Sequence, residues 1–210
     1  MFETALKKTL EHEGGYANVS GDYGKETYKG ISRRFFPDWR GWKIVDRAKS
    51  EFGGSLPHNY HIKNPELDKL VKDFYYTEFW KPFMIDQIHD RNLQELIFDI
   101  VVNSRNRGVR EIIQTTLMVQ FNQNIALDGY IGNETISAIN RCNAKQLFDA
   151  LIKSRENYYR RLAEKYPSQA KFLKGWLHRT FSFNYVASIS AAAILIVAIA
   201  GYLIYKNYTA

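Results

Sequence analysis

The sequence predicts a mainly α-helical, all-α fold with room for one small hairpin after the first helix, followed by a single C-terminal transmembrane helix. Three observations predict it. Apolar residues recur at helical spacing along most of the first 180 residues; residues 15–32 read as loop or short extended structure rich in Gly, Asn, Ser and Asp; and the 20 residues from Val186 to Tyr205 carry no charge. At helical rise that last run spans about 30 Å, the hydrocarbon thickness of a bilayer. Tyr185, Tyr202, Tyr205 and Tyr208 sit near its ends, where interfacial aromatics belong.

The first helix is expected over residues 2–13. Phe2, Leu6, Leu10 and Glu13 share one face, Glu11 points the other way, and Gly14 ends the helix. "GWKIVDRAKSEF" and "NPELDKLVKDFYYTEFWKP" read as helices, the second with Asn64 as N-cap and Pro65 at the first position, broken by Pro82. Leu93, Leu96, Ile97, Ile100 and Val101 mark the next helix, and "VREIIQTTLMVQF" repeats the pattern. An Asp128-Gly129 turn leads to a short helix with Asn133 as its cap. A long helix follows, with Leu147, Leu151, Tyr158 and Leu162 inward, stopped by Pro167. "SQAKFLKGWLHRTF" is the last element before the hydrophobic span and is expected to run into it. The division expected is 1–92, 93–181 and 186–205.

With 210 residues, 45% of them hydrophobic, the chain can build one ordinary core or two small lobes. No secretory signal is read in "MFETALKKTLEHEGG", which lacks a continuous apolar run. Cys142 is the single cysteine, which excludes an intramolecular disulfide. A net charge of +7 favours an anionic partner such as phospholipid or cell wall. Arg105, Arg107 and Arg110 cluster near a turn and read as solvated surface, so no nucleic acid is expected. The five histidines are scattered without metal-ligand spacing, there is no phosphate-cradling glycine loop and no nucleophile elbow. No metal or organic cofactor is expected. Most of Trp39, Trp42, Trp80 and Trp176 reads as core, although such aromatics also suit sugar stacking.

The chemistry concentrates in "EHEGGYANVSGDYGKETYKGIS", Glu11 to Ser32. Glycoside hydrolysis needs an acid to protonate the leaving oxygen and a group to deliver water or stabilise the oxocarbenium-like transition state. Glu13, on a partly apolar face at a helix C-terminus, suits the acid, because desolvation and the helix dipole both favour its proton. Asp22, in a polar loop, stays ionised more easily. The alternative from geometry alone is an exposed terminal Glu and a turn-forming Asp.

His12, Glu13, Gly14, Gly15, Tyr16, Asn18, Asp22, Gly24, Thr27, Gly30 and Ile31 together resemble the N-terminal pattern of the glycoside hydrolase family 108 lysozymes. Val19, Ser20 and Lys25 depart from it. Phe98-Asp99, Val102-Asn103-Ser104, Asp128-Gly129, Gly132, Thr135, Arg155, Tyr158, Phe172, Gly175-Trp176 and Arg179 look like its later landmarks, with Arg105 standing where a glycine is usual. The resemblance covers about residues 2–180. It implies a lysozyme-like helical fold, a peptidoglycan-binding C-terminal half, and N-acetylmuramidase activity on the β-1,4 bond between N-acetylmuramic acid and N-acetylglucosamine. It makes Glu13 the catalytic acid. The Glu13–Asp22 spacing is also similar to that of phage-type lysozymes, which assigns Asp22 and Thr27 to water positioning. The paired glycines are then expected to turn the chain beside the acid and leave room for a sugar ring.

The partners implied are peptidoglycan, the membrane through 186–205 and, in a phage or prophage lysis role, a holin for release. Lys171, Lys174 and Arg179 precede the span and only Lys206 follows it, so the positive-inside rule places the catalytic domain on the cytoplasmic side before release. The alternative is a non-catalytic, membrane-tethered peptidoglycan-binding or secretion-accessory protein. A lytic transglycosylase using the same acid would differ only in its product.

Overall fold

The structure, a computed structural model, describes residues 1–18 and 26–187. Helix α1 spans Phe2–Leu10 and buries Ala5, Leu6 and Thr9 against the central helix. It ends earlier than expected. The amides of His12 and Glu13 bond to the carbonyls of Thr9 and Leu10, three residues back, so the last turn tightens and Glu13 lies in a turn beyond the helix. Strands β1 (Tyr16–Asn18), β2 (Glu26–Tyr28) and β3 (Ile31–Ser32) form an antiparallel sheet in that order, with Tyr16 opposite Tyr28 and Thr27 opposite Ser32. This extends the expected hairpin by one short strand.

Helix α2 is Trp42–Glu51 and α3 is Pro65–Tyr75. As the sequence predicts, Pro65 opens α3 and the Asn64 side chain accepts from the Leu67 amide at 2.9 Å. A π turn carries the chain on to Trp80 before Pro82. Helix α4, Arg91–Gly108, is capped by Asp90 and is the axis of the molecule: every residue from Leu93 to Val101 is buried. Phe2, Trp80 and Phe98 meet edge to face there, with centroids 5.2 to 5.9 Å apart.

Beyond a kink at Arg105 and a π turn, α5 covers Thr115–Phe121 and stops at Asn122 in left-handed conformation. In α6 (Asn133–Arg141) Gly132 takes the capping position expected of Asn133, which becomes the first helical residue. Helix α7, Ala144–Lys165, packs on α4 and on the last helix, α8 (Leu173–Phe181).

The chain does not run straight from α8 into the apolar span. It folds back onto the start of α4, where the Tyr185 hydroxyl donates to Asp90 at 2.9 Å and Val186 exchanges two hydrogen bonds with the Asn92 side chain. Tyr185 is thus tied to the protein core rather than free as an interfacial anchor. The expected transmembrane segment 186–205 lies outside the described residues except for its first two. Among the described residues no helix is long and apolar enough to cross a membrane.

Candidate active site

Glu13 sits at the floor of a cleft of about 740 Å³, with its side chain about one-fifth exposed. The turn after α1 delivers it, and two glycines permit its position for different reasons. At Gly15 a Cβ would fall 2.4 Å from the Tyr60 carbonyl oxygen, because β1 bridges to Tyr60 there. The space beside Gly15 is therefore filled by backbone and not kept for a sugar, contrary to expectation. Gly30 is the glycine that makes room at the acid. It turns between β2 and β3 at φ +77°, and a Cβ on it would lie 2.7 Å from both Glu13 Oε2 and the Tyr75 hydroxyl.

The other oxygen of Glu13 is held by an arginine. Arg179, from α8, donates through Nη1 to Glu13 Oε1 at 2.8 Å. Its Nη2 donates to Asp99 on α4 at 2.7 Å, and Asp99 also accepts from Arg155 Nη2 of α7 at 2.6 Å. Asp99 and Arg155 are fully buried. Burial works against the Asp99 carboxylate, but the two guanidiniums outweigh it and hold the carboxyl below the usual range. Burial likewise opposes the Arg179 cation, yet Asp99 and Glu13 raise its affinity for the proton further. The surroundings of Glu13 are thus polar on the Arg179 side, where the sequence suggested an apolar face.

A second ring of contacts fixes this arrangement. The Asn103 amide oxygen faces Arg179 Nη1 at 3.1 Å and its nitrogen faces the Tyr159 hydroxyl at 3.2 Å, while Tyr159 stacks on Trp176 of α8. Tyr75, buried beside Glu13, donates to the Lys29 carbonyl at 2.8 Å; burial, then the Glu13 charge, keeps its phenol neutral. His12 and His178, scattered in the sequence, meet at 6.2 Å between ring centroids on the cleft wall. Burial and then Arg179 push His12 below the usual histidine range.

Thr27, on β2, lines the same cleft opposite its register partner Ser32. Asp22 lies outside the described residues. Glu11 also borders the cleft, which corrects the expectation that it points away.

Arg105 is exposed, as its solvated reading expects, but it stands at the cleft. Arg107 pairs with Glu111 at 2.8 Å, but Arg105 turns toward the cleft wall with its guanidinium 5.3 Å from the Phe36 ring centroid and 5.0 Å from that of Phe79. Its backbone stands at φ +46°, ψ −148°, in territory natural to glycine, and such strain costs about 1–3 kcal/mol. Asp99 and Arg179 are the members of the site that chemical reasoning on the sequence did not single out. A signal for Asp99 was present: it is a lone carboxylate amid "LIFDIVV", and a charge in such a stripe needs a buried partner. Among the described residues no group of His, Cys, Asp and Glu is placed to hold a metal ion.

An acid in an aromatic-walled cleft is the equipment of a glycosidase, and comparison with known proteins agrees. Residues 6–104 match the family model described as Glycosyl hydrolase 108, and residues 108–181 match a Predicted Peptidoglycan domain. The protein is a glycoside hydrolase that acts on peptidoglycan. SagA of Brucella abortus shares the hydrolase's fold, with a TM-score of 0.58 and 20% identity over 90% of this chain and 98% of that one. No curated protein matches the hydrolase. Both matched regions contribute to its cleft, since Glu13 belongs to the first and Arg179 and Trp176 to the second.

Proposed function

We propose that the protein is an N-acetylmuramidase that cleaves the β-1,4 bond between N-acetylmuramic acid and N-acetylglucosamine, with Glu13 as the general acid. The observation that carries this reading is the division of labour between the two Glu13 oxygens. Arg179 engages Oε1, while Oε2 lies beside Gly30, which adds no side chain of its own, and near the Tyr75 hydroxyl. A proton on Oε2 passes to the glycosidic oxygen as the bond breaks. The carboxylate then forming is stabilised by a guanidinium already in place, which costs no reorganisation at the moment of reaction.

Thr27 is the described candidate for orienting the attacking water, and Asp22 is proposed to act with it on the strength of the family resemblance. The aromatic wall made by Phe36, Phe79 and Trp176 suits the apolar faces of sugar rings. We further propose that residues 186–205 anchor the enzyme in the membrane with its catalytic part on the cytoplasmic side, and that a holin releases it to the wall.

The direct test is clearing of purified peptidoglycan by a fragment of residues 1–187, which keeps Phe183 in the core and the Tyr185 and Val186 contacts to α4. Glu13→Gln is expected to fold normally and to lose about 10²- to 10⁴-fold in rate. Glu164→Gln, an exposed change on α7, is the control and leaves the rate unchanged. A Glu13→Gln enzyme within threefold of wild type would overturn the assignment. Product masses of hydrated rather than anhydro sugar ends separate a hydrolase from a transglycosylase.

A further inference from the structure

We propose that Arg105 is a specificity-determining residue that binds a carboxylate carried on the muramic acid side of the glycan. The inference deepens the muramidase reading and rests on it. Three observations converge on this side chain. The backbone at Arg105 is held at a positive φ that glycine would adopt without strain, so a cationic side chain here is kept against a local energetic preference. Its guanidinium is set over two aromatic faces, Phe36 and Phe79, which orient it at the cleft wall.

The third observation is the absence of a countercharge. Among the described residues no carboxylate pairs with Arg105, and unlike Arg179, the other arginine that lines the cleft, it has no countercharge there. An exposed guanidinium, steadied by the two rings and with no hydrogen-bond acceptor among the described residues, is prepared for a planar anionic group from the substrate. In peptidoglycan such groups are carboxylates: that of the lactyl ether in a naked strand, and those of the stem peptide in a substituted one. N-acetylglucosamine offers none. Arg105 therefore distinguishes muramic-acid-bearing glycan from neutral chitin-type chains.

The test is equilibrium binding to the Glu13→Gln protein, which does not consume its ligand. Soluble glycan strands are used in three forms: peptide-bearing, naked, and the same strands with carboxylates neutralised as methylamides. Chito-oligosaccharide is the neutral reference. Arg105→Gly is expected to weaken binding of carboxylate-bearing strands about tenfold, to change binding of methylamide strands and chito-oligosaccharide less than twofold, and to melt no lower than the parent. Arg105→Lys should recover part of the loss, since it restores charge without the planar fork.

Loss on peptide-bearing strands alone assigns the contact to the stem, loss on naked strands alone assigns it to the lactyl carboxylate, and loss on both means that either carboxylate reaches the guanidinium. Arg91→Gln, at the exposed start of α4, controls for general surface charge and should leave binding unchanged. Equal weakening on charged and neutral ligands, or none on charged ones, overturns the proposal. Failure of the muramidase reading would show separately, as wild-type protein that releases no sugar ends from any strand.

Discussion

Replacing Asp99 by Asn tests the electrostatic centre of the molecule. Asp99 is fully buried and accepts from Arg155 at 2.6 Å and from Arg179 at 2.7 and 3.1 Å. With Glu13 included, two carboxylates and two guanidiniums balance. Asn keeps the shape but removes one charge and turns an N–H₂ group toward cations, leaving Arg155 without a carboxylate partner. Breaking a buried pair in this way costs about 3–5 kcal/mol. That is a large share of the 5–15 kcal/mol typical of a whole domain. For a fold of this size it amounts to a fall of about 6–20 °C in Tm.

Thermal unfolding followed by circular dichroism at pH 7 measures it. The double variant Asp99→Asn/Arg155→Met removes the orphaned charge and is expected to recover part of the loss, a coupling that independent sites would not show. The pH dependence has a definite sign. The folded Asp99 carboxyl titrates below its unfolded value, so its contribution is fully present above about pH 4 and is lost as the pH falls through the folded value. Asp99→Asn should lack that portion of the acid loss. A Tm within about 2 °C of wild type, or strict additivity in the double variant, would refute the account.

Gly30→Ala introduces a Cβ 2.7 Å from Glu13 Oε2 at a positive φ, so the carboxylate must move. Lytic activity is expected to fall at least tenfold, with a smaller drop for Gly175→Ala, where a Cβ meets nothing within 4 Å; similar losses in the two would contradict the role given to Gly30. For the proposed anchor, the full chain should sediment with membranes and resist carbonate extraction, and the catalytic part should be shielded from protease in intact spheroplasts. Digestion from outside without permeabilisation would place the enzyme on the cell surface instead.

Much of the helical frame could be read from the sequence because its signals are local. Asn64-Pro65 capped α3 as predicted, and the apolar spacing of Leu93 to Val101 marked the centre of α4. Elements whose ends depend on tertiary contacts were less legible. The first helix stopped at Leu10 because its last turn tightens to aim Glu13, which no propensity rule reports. Glu13 itself was accessible through motif and face. Its partner was not, because Arg179 lies 166 residues away and reaches it only after α8 has packed on α7. The exposure of Arg105 was legible but its place at the cleft was not: a charged residue near a turn gives no sign in sequence of which aromatic rings it will face.

The bond between Arg179 and Glu13 also limits how this enzyme could be engineered. Wall-lytic proteins invite recombination, in which a cutting segment is transplanted onto a foreign targeting segment. Excising residues 6–104 here would remove the acid from its guanidinium and strand Asp99, whose two countercharges come from α7 and α8, in an apolar interior. A productive chimera would have to keep everything through Val186, whose segment is bound to the start of α4, adding new targeting outside that boundary rather than exchanging the second half.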